Sequence, residues 1–209
     1  MEIIKRTFDQ LQAAISIEEV KAIPENIGID RENQFDETKY PKIEFQISKK
    51  EIEQLISDGI LTEPEYKFGK INDLHPLTKL LYAVLWKNGD LAKVKHVVKG
   101  ILDKRDESDN SIIFYQFGRH LSEKKSEPIV DQHVLRAFGI FKSLENEKTV
   151  KRLKKLSLFS RKEKWILDEY KKWLNEGLTD QLKADFDHRH HVDKVLFCVG
   201  KHVKDNDLM

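Results

Sequence analysis

Cysteine is almost missing from this chain: Cys198 is the only one in 209 residues. Neither an internal disulfide nor a cysteine-ligated cluster can form, so a reducing, cytoplasmic setting is expected. Long apolar runs are missing too. No stretch reaches the roughly 18 apolar residues that a membrane helix needs. Met1-Glu2-Ile3-Ile4-Lys5-Arg6 has no signal-peptide core. There is no glycine-rich phosphate loop, no serine nucleophile elbow and no Cys–His pair in a recognisable context. Internal repeats and low-complexity segments are also absent. Together these absences set aside disulfide scaffolds, membrane-spanning proteins and the common nucleotide and acyl-transfer signatures.

Charge is abundant. Charged residues make up 35% of the chain and apolar residues 39%. That balance suits helices with solvated outer faces and is too periodic and aromatic for disorder. The net charge is only +1, but its distribution is uneven. Residues 1–90 hold 12 Lys and Arg against 17 Asp and Glu; residues 91–209 hold 25 against 19. The densest basic stretch runs from Lys142 to Lys164, with nine cations against Glu145, Glu147 and Glu163. Such a run suits either a polyanion partner or an ordinary solvated Lys/Glu face.

Periodicity predicts an all-α chain of about eight to ten helices, read as a single domain over 1–209. Residues 1–75 are less regular and 76–209 strongly helical. Capping-box patterns open helices at Ser16, Ser48 and Ser160, since each Ser is followed three residues on by Glu. Pro24, Gly28 and Pro41 mark a loop over 24–42. Lys42 to Ile47 alternates with period two and predicts one short extended element near residue 45. Pro76 opens a helix whose Leu77, Leu80, Leu81, Val84 and Leu85 form an apolar stripe, stopped by Asn88-Gly89. Ile113, Phe114, Phe117 and Leu121 form another stripe. Thr149 is the expected start of a basic helix, and Ser160 of a long one with Ile166, Tyr170 and Trp173 inward. Val192, Val195, Leu196, Val199 and Val203 define the last. Trp86, Trp165 and Trp173 are expected in the core.

The chemically most suggestive stretch is Pro128-Ile129-Val130-Asp131-Gln132-His133-Val134-Leu135-Arg136-Ala137-Phe138. It places a carboxylate at the lip of an apolar helix. Asp there accepts from free backbone N–H groups, and the positive helix end favours its ionised form. Val130 to Arg136 resembles the Val-Asp-x-His-Val-x-Arg signature of the helix-hairpin-helix DNA glycosylase superfamily. The resemblance implies an all-α domain in two lobes, DNA bound across the cleft, and Asp131 as the catalytic carboxylate facing a flipped base. His191 to Lys201 is similar to the closing helix of some uncharacterised bacterial relatives.

The same comparison limits the chemistry. The family's hairpin pattern Leu-Pro-Gly-x-Gly is represented in Ser111 to Leu121 only by Gly118. Members with lyase activity carry a Lys some eighteen residues before the Asp, where this chain has Ile112-Ile113. A Schiff-base lyase and an iron–sulfur cluster are therefore excluded, and no cofactor is expected. Monofunctional hydrolytic base excision and a non-catalytic helical interaction protein on the same scaffold both stay open. If DNA is the partner, Arg119, Lys124, Lys125, Lys151, Arg152, Lys154 and Lys155 are the candidate backbone contacts; otherwise the partner is a protein. Tyr115, Phe114 and Phe117 are candidate pocket walls, with core packing as the alternative. The resemblance implies that His133 is mainly a packing and hydrogen-bonding residue. On a helix, either Asp187 with His191 (i, i+4) or His188 with His191 (i, i+3) shares a face and could bind a divalent metal, but no third ligand of proper spacing lies nearby and no metal is expected.

Overall fold

Ile4, Phe8 and Leu11 recur three and four residues apart, and all three are wholly buried in the first helix, α1 (Glu2–Ala13). That spacing puts them on one face, and the same logic builds most of the chain. The computed structural model describes residues 1–104, 111–122 and 127–205. Among them are eleven α-helices and one two-stranded hairpin. No helix among the described residues is long and apolar enough to cross a membrane.

The chain forms two compact units, one from residues 1–43 and 128–209, the other from 44–127. In the first, α2 (Ile17–Asn26) follows α1. Ser16 Oγ accepts from Glu19 N, while the Glu19 carboxylate takes the N–H of Ile15 rather than that of Ser16. The expected loop begins later than Pro24, which lies inside α2. The helix ends at Ile27, and Gly28 (φ 77°) then supplies the left-handed turn that a side-chain-bearing residue resists.

The second unit starts with α3 (Lys49–Ser57), where both bonds of the Ser48–Glu51 capping box are present. Residues 42–47, expected as an extended element, do not enter a sheet. Ile47 N–H donates to Leu121 O, but among the described residues no strand lies alongside to complete a ladder. The strand pair falls instead at β1 (Leu61–Thr62) and β2 (Lys67–Phe68), antiparallel, with Leu61 opposite Phe68. Then come α4 (Pro76–Lys87), α5 (Val94–Leu102) and α6 (Ile112–Leu121). α5 and α6 approach so closely that a Cβ on Gly118 would lie 2.1 Å from Val97 O, and one on Gly100 2.2 Å from Tyr115 O. On α6 the buried side chains are Ile112, Gln116 and Leu121, whereas Phe114 and Phe117 are half-buried. The expectation for α4 is overturned. It buries no residue, and Trp86 is 66% exposed.

The chain re-enters the first unit at Pro128. α7 (Gln132–Lys142) is followed by α8 (Glu147–Lys155), α9 (Lys164–Glu176), the short α10 (Asp180–Lys183) and α11 (His188–Asp205). Asn146 caps α8 by accepting from Thr149 N, so the helix begins two residues before Thr149. Ser160 and Glu163 form the second complete capping box, over a 3₁₀ turn that leads into α9. Phe8, Phe138, Phe141, Tyr170 and Trp173 cluster in the core, with Phe8 stacked on Phe141 at 3.8 Å. Trp173 joins this cluster, whereas Trp165 is exposed. The α7–α11 pair is the tightest in the unit: a Cβ on Gly200 would sit 1.9 Å from His133 O.

Candidate functional site

Val130 is buried, and Asp131, itself still extended, is the N-cap from which α7 starts. Asp131 Oδ1 accepts from His133 N at 2.6 Å and Val134 N at 2.9 Å. Oδ2 takes no hydrogen bond among the described residues. The carboxylate is half-buried. Burial pushes its pKa above the ordinary aspartate range, against the two backbone N–H donors and the nearby His133 and Arg136. Desolvation wins here because the neutral acid loses less on leaving water than the anion does.

The segment before it is pinned from behind. Asp193, on α11, accepts Ile129 N–H at 3.0 Å through Oδ2 and the Tyr170 hydroxyl through Oδ1. Asp193 and Tyr170 are both buried, and burial raises both pKa values well above their usual ranges. The negative charge of Asp131 adds to the effect on Asp193. Two carboxylates thus bracket the four-residue approach to α7, one fixing its start and the other its end. The motif around Asp131 does not point to Asp193, and the helical pattern presents Tyr170 only as an inward position. The available signal was a carboxylate among Val192, Val195 and Leu196 on an inward helix face.

The rest of the motif is structural in its contacts. Arg136 is 0% exposed. Its Nε and Nη2 donate to Leu153 O (3.3 Å) and Leu156 O (2.6 Å) at the end of α8, and Nη1 to Gly200 O (3.2 Å) on α11. One guanidinium thereby satisfies carbonyls that the end of a helix would leave orphaned. Nη1 also lies 2.8 Å from His133 Nδ1. An arginine can only donate, so Nδ1 is the acceptor and the ring is neutral. Burial lowers the His133 pKa in the same sense, and the ring packs edge-on against Phe197.

The candidate cations are distributed unevenly. α8 buries Val150 and Leu153 and turns Lys148, Lys151, Arg152 and Lys155 outward. Lys151 pairs with Glu147 at 2.6 Å, with both side chains mostly in solvent. Arg152 holds the buried Glu163 at 2.7 Å. Lys154 lines a cleft of about 160 Å³ with Ile4, Ile140, His202 and Val203. Arg119 belongs to the second unit. It is clamped by Glu127 (2.9 and 2.6 Å) and paired with Asp103, which leaves its charge satisfied internally. Lys124 and Lys125 lie outside the described residues. Of the histidine cluster, His188 Nδ1 meets Asp185 O at 2.6 Å and Asp187 pairs with Lys42 at 2.7 Å. Among the described residues, no three His, Cys, Asp or Glu side chains come together in a way that could hold a metal.

Comparison with family models, curated proteins and solved structures returned no match. The functional reading therefore rests on the site itself.

Proposed function

We propose that the chain is a glycosylase-like DNA-binding protein, with Asp131 as the carboxylate of a monofunctional, hydrolytic base excision. The observation that carries this reading is the state of Asp131. One oxygen is fixed by two backbone N–H groups at a helix N-terminus, and the other takes no hydrogen bond from the described residues. Cleavage of a base–sugar bond builds positive charge on the sugar. A carboxylate already held in place stabilises that charge without reorganising, and its second oxygen can orient a water. The target base must first leave the stack. The basic face of α8, tied to the motif helix by Arg136, offers phosphate contacts in the same unit. The exposed Lys151–Glu147 pair is worth little in water, so a phosphate can replace Glu147 as its partner.

The test is a fluorescence-anisotropy titration with an intact duplex and one bearing an abasic-site analogue, at low and near-physiological salt. Tighter binding to the abasic duplex, weakening steeply with salt, is the expected result. Asp131→Asn then abolishes excision on a lesion panel while keeping the fold. Absence of binding to either duplex at low salt overturns the reading. A second reading, a non-catalytic interaction protein, is favoured by the internal bonds that occupy His133 and Arg136. Under it, Asp131→Ser is silent in every binding assay, because Ser caps about as well as Asp.

A further inference from the structure

Leu77, Leu80, Leu81 and Val84 lie at helical spacing on one face of α4, and they are 59, 61, 55 and 51% exposed. The opposite side of the helix meets its own unit through half-buried Thr78, Tyr82 and Leu85, with Tyr82 edge-on to Phe68 at 5.3 Å. Such a stripe leaves on the order of 400 Å² of apolar surface in water, the size of a patch that is often functional. That area matches the apolar centre of a standard interface, which buries about 800 Å² per partner.

We infer that this face is the self-association surface of the protein, with the α4 helices of two copies packed antiparallel across a two-fold axis. The sequence of the helix specifies the occupant. Placing the axis between positions 80 and 81 sets Leu80 of one copy against Leu81 of the other, and Leu77 against Val84. The stripe is therefore complementary to itself, as an isologous interface requires. The flanking charges choose the direction. Asp73 precedes α4 and Lys87 closes it, both exposed. Antiparallel packing brings Asp73 of each copy to the Lys87 end of the other; parallel packing sets Asp73 against Asp73 and Lys87 against Lys87. The helix dipoles oppose one another favourably in the antiparallel arrangement as well.

Sedimentation equilibrium of the full chain, at concentrations on the order of 50 μM, tests this. The expected mass is twice the 24.6 kDa of one chain. Leu81→Glu weakens association about 100-fold or more, as the loss of a central apolar anchor does, and leaves the circular dichroism spectrum unchanged because the side chain is exposed. Asp73→Lys and Lys87→Asp each weaken the dimer several-fold, and the double variant recovers it. Under mild oxidation Leu80→Cys cross-links to its mate beside the axis. Leu77→Cys does not, since the antiparallel arrangement carries it about 10 Å along the helix from its mate. The buried Cys198 gives no background. A monomer at these concentrations, a dimer indifferent to Leu81→Glu, or equal cross-linking at both positions overturns the proposal.

Discussion

Asp193 is the residue on which the local order of the site depends most. It is the acceptor for one half-buried backbone N–H, of Ile129, and one buried hydroxyl, of Tyr170. Asp193→Ala strands both donors, at about 1–3 kcal/mol each, and loosens the approach to Asp131. Urea denaturation of the variant measures that loss. The same residue sets a pH dependence. Its folded pKa lies above its unfolded value, so the folded state holds the proton more tightly. This contribution is complete below the ordinary aspartate pKa of about 3.9 and is lost as pH rises through the folded value. His190 acts in the opposite direction. Burial, with Lys194, His191 and Lys42 adding to it, lowers its pKa to about 4. Its contribution is present above the unfolded value of about 6.5 and is lost as pH falls toward the folded one. The two trends overlap, so single variants separate them. His190→Gln is less sensitive than the parent to acid between neutrality and pH about 4. Asp193→Asn lacks the gain on acidification. Stability measured against pH for the parent and both variants checks the signs.

At the scale of elements, helix ends were the most legible part of the sequence, because their chemistry is local. Ser48 and Ser160 announce capping boxes and form them completely, and Asp131 caps α7 as its position implied. What a face packs against is not local, and this is where expectation and structure part. Leu77 to Val84 carry the same pattern as Val192 to Val203, yet α11 is buried and α4 is not. Periodicity shows that a face exists without showing its neighbour. The single hydrogen bond of Ile47 is the same lesson for strands, since alternation without a flanking strand builds no sheet. Close helix approaches were equally silent. Gly118 and Gly200 were read only as matches to a motif or a closing helix, but each lets two backbones touch. Gly200→Ala drives a Cβ into His133 O, and Gly118→Ala one into Val97 O. Neither obstacle is a side chain that can rotate away, so each costs about 3 kcal/mol or more, beyond ordinary overpacking. Thermal unfolding monitored by circular dichroism tests both.

At the scale of the whole molecule, the two units are unequal in the terms that decide stability. Among the described residues, thirty buried apolar side chains belong to the first unit and only nine to the second. Apolar burial is the dominant favourable term, and a thin core has little to set against chain entropy. The second unit therefore unfolds first, and urea denaturation is expected to show two transitions rather than one. Core truncation assigns them: Ile101→Ala lowers the first midpoint and leaves the second in place, whereas Leu196→Ala moves the second. Both side chains are buried, and each truncation costs about 2–5 kcal/mol. α4 belongs to the weaker unit, which links stability to self-association. A ligand that binds only the folded form raises its stability by mass action, and a second copy of the chain is such a ligand. Raising the protein concentration therefore shifts the first transition upward and leaves the second where it is. In Leu81→Glu the first transition loses its concentration dependence. A parent protein whose two transitions respond equally to concentration, or whose unfolding is a single step, would show that the weaker unit is not stabilised separately through α4.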